Sequence, residues 1–128
     1  MDKIGLVYAV LAAILWGLVY TIDQKILEKV SPLNLLLFYT AVMIIILPPI
    51  QFFFGEQQIK TILNLGKFDI VLILLTCILG LVASWFIFAA ISKLGASTAS
   101  IFEIAYPVFV VLFSYLLFQT SLNAYFYL

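Results

Sequence analysis

Apolar residues fall into four long runs at about 4–22, 33–54, 70–91 and 96–118, separated by short polar breaks. Each run is about as long as the ~20 residues that cross a hydrocarbon core of ~30 Å at ~1.5 Å per residue. The pattern predicts an all-α fold, a polytopic transmembrane helical bundle of four spans, with 1–128 as a single membrane domain. The breaks carry local signals of their own. The first, 23–32, ends in Ser31-Pro32, an N-cap followed by proline at the first helical position, so a second helix is expected to start there. Pro48-Pro49 removes two backbone donors inside that helix and predicts a kink or an early end, with 50–54 continuing the span or lying in the interface. In the longest polar segment, 55–69, Ile59, Ile62, Leu63 and Leu65 form one face of either a short helix on the membrane surface or an ordinary connecting loop. Residues 92–95 read as a tight hairpin, and 119–128 are too few to cross again.

Composition agrees with the pattern. Two thirds of the residues are apolar (66%), 9% are charged and the mean hydropathy is +1.28, outside the range of soluble domains. Six lysines balance six acids and there is no histidine, so neither nucleic acid nor a metal is expected as a partner, and no cofactor is implied. The one cysteine, Cys77, forms no intrachain disulfide. No serine or cysteine has a base beside it, and an enzyme is not expected. The basic start at Lys3 running into a membrane-length segment reads as a signal anchor. Lys25, Lys29 and Lys93 fall on one side of the membrane and Lys3, Lys60 and Lys67 on the other, an even split compatible with insertion either way up.

One residue breaks the apolar pattern. Glu103 lies inside the fourth run, and a charge at membrane depth is costly and marks a functional candidate. Ala96, Ser100, Glu103, Pro107, Val110 and Ser114 share a helical face that should meet protein or water rather than lipid. Pro107 has no N–H, so the carbonyl of residue 103 loses its usual donor in the same turn. The alternative is a glutamate hydrogen-bonded to a neighbouring helix beside a common membrane-helix proline. Gly5, Ala9, Ala13, Gly17 and Thr21 recur every fourth residue, as do Thr76, Gly80 and Ser84; such stripes suit close helix packing. Counting equal depth from the end that carries the first and third breaks brings Trp16, Tyr39, Thr40, Ser84 and Trp85 near the plane of Glu103. Those rings and the carboxylate would suit a small amphipathic or cationic ligand in a cavity, or they are unrelated packing residues.

Leu15-Trp16-Gly17, with Lys25 and Pro32 after it, resembles the first helix and its sequel in an EamA-type domain of the drug/metabolite transporter superfamily. Gly95-Ala96-Ser97-Thr98-Ala99-Ser100 and Pro107-Val108-Phe109 resemble that family's entry into its fourth helix. Tyr39 stands where members often have an arginine, and Gln119 where they have an acid. An EamA domain has five helices and a full transporter usually two domains, so the chain resembles one half without its fifth helix. The small four-helix multidrug transporters of the superfamily carry their glutamate on the first helix, whereas the run 4–22 contains no acid. The resemblance implies a transporter, or a half-subunit of one, exporting or importing a small organic metabolite or drug. Glu103 is the candidate for proton coupling, Trp16, Tyr39, Ser84, Trp85, Ser100 and Pro107 for the substrate path. Its setting would be a bacterial-type inner membrane, in a homo- or hetero-oligomer. The competing expectation is a non-transporting membrane assembly or interaction protein.

Overall fold

The computed structural model describes residues 3–55 and 64–119. They form five helices and, among the described residues, no strand: α1 Lys3–Leu27, α2 Pro32–Phe54, α3 Lys67–Leu94, α4 Ala96–Glu103 and α5 Tyr106–Phe118. α1, α2, α3 and the α4–α5 pair are each long and apolar enough to cross a membrane, which gives the four predicted spans and makes this an integral membrane protein. Of the residues expected to form a surface helix or loop face, Ile59, Ile62 and Leu63 lie outside the described residues and Leu65 within them.

Boundaries differ from the apolar runs for local reasons. α1 continues past Ile22 to Leu27, because Gln24, Lys25 and Leu27 are good helix formers and neither glycine nor proline interrupts them. It closes with Lys29 N–H and Val30 N–H both donating to the Ile26 carbonyl, at 2.9 and 3.0 Å. Ser31 then caps α2 as expected, its Oγ accepting from Asn34 N at 3.3 Å with Pro32 at the first position. Of the kink or early end expected at Pro48-Pro49, the early end does not occur: both prolines lie inside α2, which runs on to Phe54. α3 starts and ends three residues outside the predicted run, with Asp69 in its first turn and Lys93 in its last, each complementing the helix dipole. Gly95 joins α3 to α4 at φ 81°, ψ 158°, a conformation that in practice only glycine adopts, and its N–H closes α3 on the Ile91 carbonyl at 2.9 Å.

The predicted fourth span is broken. Ile104 and Ala105 have ψ near −13°, short of the −42° of a regular helix. The chain there switches to tighter bonds, Ala105 N–H to Phe102 O at 3.3 Å and Val108 N–H to Ala105 O at 3.1 Å. Pro107 explains the place: its ring would crowd the carbonyl of Glu103, four residues back.

Packing concentrates at one end. Leu27, Leu35, Phe88, Ile91, Ala96 and Ala99 form the buried core, drawn from the C-terminal ends of α1 and α3 and the N-terminal ends of α2 and α4. Tyr20, Leu36, Tyr39 and Ile87 pack around it. Away from that end, the apolar side chains of all four spans are exposed, as lipid- or helix-facing surface should be. Gly17 and Gly80 have open space where a Cβ would stand, so at these two positions the small-residue stripes meet no other helix among the described residues.

Candidate functional site

The C-terminal half of α1 organises the polar groups. Tyr20, Asp23, Gln24 and Leu27 are spaced i, i+3, i+4 and i+7, one face of the helix, and that face turns into the bundle. Its three polar side chains each reach a different partner. The Tyr20 hydroxyl donates to Glu103 Oε1 at 2.9 Å, joining α1 to the last residue of α4. The Tyr39 hydroxyl on α2 donates to Asp23 Oδ1 at 2.5 Å. Gln24 Oε1 accepts from the Ala96 backbone N–H at 2.6 Å, satisfying one of the donors that a helix start leaves free. Phenols suit these positions because the ring adds apolar contact while the hydroxyl supplies a donor. Tyr20 lies 5.6 Å from the Trp16 ring and Tyr39 5.4 Å, edge-on, from Phe88.

Glu103 therefore sits half-buried at the C-terminal end of α4, on the lip of the break at Ile104 and Ala105, with a phenol as its hydrogen-bond donor. Of the other residues singled out in the sequence, Trp16 joins this group through Tyr20. Tyr39 joins a second group, with Asp23 and Phe88. Ser84 Oγ donates to Gly80 O at 2.8 Å and Ser100 Oγ to Ser97 O at 3.0 Å, both within their own helices. Trp85 contacts its neighbour Phe86 and remains 41% exposed; Trp16 is 57% exposed. The layer is thus open rather than enclosed within one chain. A shallow hollow at the packed end, lined by residues such as Gln24, Glu28, Ser92 and Gly95, lies apart from Glu103.

Three residues escaped the sequence reading: Tyr20, Asp23 and Gln24. The first helix is not free of acid, as the run 4–22 suggested, because α1 carries Asp23 inside it. Asp23 is fully buried, and its Oδ2 has no hydrogen-bond partner. The signal lies in the helical spacing of 20, 23, 24 and 27, which the end of the apolar run at Ile22 cuts in two.

The geometry agrees with the motifs that framed it. The Trp16-Gly17 pair and Lys25 lie on α1, Pro32 opens α2, and Gly95 is the positive-φ hinge into α4. Neither the curated proteins nor the solved structures contain a match to the chain. The family model of the EamA-like transporter family matches residues 3–128, nearly the whole chain. The chain belongs to the EamA-like transporter family and is a membrane transporter of the drug/metabolite type, acting on a small molecule across a lipid bilayer.

Proposed function

We propose that this chain is one EamA-type half of a transporter that moves a small organic metabolite or drug, coupled to protons through Glu103. The observation that carries the reading is the hydrogen bond from Tyr20 to Glu103 beside the break at Ile104 and Ala105. It supplies a titratable group held between two helices at a point where the backbone has two segments able to move against each other. Irregular backbone next to an ionisable side chain is what transporter cavities use within the bilayer. When Glu103 is ionised, the Tyr20 hydroxyl is its donor. The hydroxyl can donate to either form, but its bond to the carboxylate is the stronger, so proton uptake weakens the link between α1 and α4.

Trp16 beside Tyr20 adds a ring face suited to an amphipathic or cationic organic molecule. Trp85, Tyr39, Ser84, Ser100 and Pro107 complete the candidate path. The exposed tryptophans and open glycine faces favour a unit of at least two chains, homo- or hetero-oligomeric, in a bacterial-type inner membrane.

Glu103→Gln keeps shape and hydrogen bonding and removes titration. In proteoliposomes assayed with a panel of amphipathic organic cations and neutral metabolites, the variant is expected to insert and fold, retain binding of neutral substrates and lose gradient-driven transport. Transport with unchanged pH dependence in Glu103→Gln would overturn the coupling role.

A further inference from the structure

Asp23 is the most completely buried polar side chain among the described residues, and nothing in the proposed coupling uses it. Its exposure is 0%, Oδ1 accepts from Tyr39, and Oδ2 meets no hydrogen-bond partner. No cation among the described residues pairs with it. Among the described residues the one ion pair is Lys25 with Glu28 at 3.0 Å, on the exposed side of α1 and the following turn. The elements packed at this end offer the Tyr39 phenol from α2, the apolar Phe88 and Ile91 from α3, and Ala96 and Ala99 from α4. On α4 the nearest acid in the network is Glu103, bound to Tyr20 one turn before Asp23. On α1 itself Gln24 is committed to the Ala96 N–H.

Burial strips this carboxyl group of its hydration, and at Oδ2 no side chain among the described residues replaces it. The same surroundings exclude a metal ion as the neutralising partner. One phenol oxygen beside an apolar core provides no coordination shell, and no cluster of three metal-ligating side chains exists among the described residues. A proton needs only the free oxygen.

We propose that Asp23 is a second proton-binding site, holding a proton on Oδ2 while the α1–α2–α3 end is packed and releasing it to water when that end opens. The balance is simple: carboxylate plus a proton from the aqueous side gives the neutral acid, with no other reactant. Tyr39 fits both states. Its hydroxyl donates to the carbonyl oxygen of the neutral acid in the packed end and to the carboxylate after release. The site makes closure of the packed end conditional on proton uptake. It stands whether or not Glu103 couples transport.

Infrared spectroscopy of the full chain in lipid vesicles tests this in a Glu103→Gln background, which removes the acid of the fourth span. At neutral pH a protonated-carboxyl C=O band is expected. It is lost on adding Asp23→Asn, and it moves to higher frequency on adding Tyr39→Phe, which deletes the donor to that carbonyl. If Asp23→Asn fails to fold, the Tyr39→Phe shift alone decides. A second readout follows opening, with Ala99→Cys in a Cys77→Ser background as the reporter at the buried end. Its maleimide labelling is expected to rise with pH more steeply than in the same protein carrying Asp23→Asn. Absence of the carboxyl band, a band unmoved by either substitution, or equal pH dependence of labelling with and without Asp23→Asn would overturn the proposal.

Discussion

Trp16 separates packing from ligand binding more sharply than any other residue. Its ring is 57% exposed and its aromatic contact is Tyr20, one turn away on the same helix, so it contributes little to holding the bundle together. Trp16→Leu should therefore change the amount of folded protein in the membrane very little, within about 1 kcal/mol of stability as for surface substitutions. If the ring lines the substrate path, ligand binding should fall about tenfold, the loss of one cation–π or stacking contact of ~1–2 kcal/mol. Trp85→Leu, at 41% exposure, should behave alike. Binding to purified protein, set against in-gel quantity of the folded form, gives both numbers. Equal losses of folded protein and binding in both variants would assign the rings to packing. At this scale the sequence displayed Glu103 and both tryptophans plainly, since polar or indole side chains stand out in apolar runs. It hid Tyr20 and Asp23 as partners. A bond spanning 83 positions, such as Tyr20 to Glu103, depends on which helix faces meet, and periodicity within one helix carries no information about that.

Elements were legible to the degree that their signals are local. The Ser31 cap and the four membrane-length runs rest on local signals and formed, the fourth run as two helices, whereas the hairpin expected over 92–95 narrows to Gly95 because α3 continues to Leu94. Ends that depend on a balance of propensities went astray, as at the start of 23–32, where α1 runs on through a charged turn. Pro48-Pro49 shows the same limit from the other side: two lost donors do not end a helix that continues in apolar surroundings to Phe54. Pro107 does break its helix, and its effect is testable. Pro107→Ala restores the missing donor and removes the ring from the Glu103 carbonyl, which should let α4 and α5 fuse through Ile104 and Ala105. Proline inside a helix costs ~3 kcal/mol relative to alanine, so the variant should be more resistant to thermal unfolding in detergent, by some part of that amount. If the break is the flexible joint of the transport cycle, transport should fall while stability rises. A Pro107→Ala protein that is both more stable and fully active would show that the break is incidental.

Across the whole molecule the chain is closed at one end and open at the other. The buried core lies among the ends that carry Lys25, Lys29 and Lys93, whereas α1 and α3 begin at Lys3 and Lys67 on the far side. The same asymmetry leaves Trp16 and Trp85 largely exposed, with ring contacts only to their own helices, and leaves open space at Gly17 and Gly80 among the described residues. A face of small residues has little to gain from lipid, since its advantage over larger apolar residues is that another backbone can approach it closely. A second membrane domain placed against these faces would bring two layers of rings and acids around a shared path, and the even lysine split allows that partner to lie in either orientation. Gly17→Cys and Gly80→Cys, each in a Cys77→Ser background, place thiols where there is room for them and no neighbouring helix. In native membranes, a short bifunctional thiol reagent should join two chains at one or both positions, while the same reagent at Leu15→Cys, exposed on the side of α1 opposite Gly17, should not. Crosslinked pairs should persist when the protein is diluted into excess lipid, because a specific interface resists dilution and random collision does not. Active transport by a preparation that yields no crosslink at either glycine and behaves as a monomer after dilution would exclude the paired unit, and the open layer of Trp16, Glu103 and Trp85 would then have to bind its substrate from one chain alone.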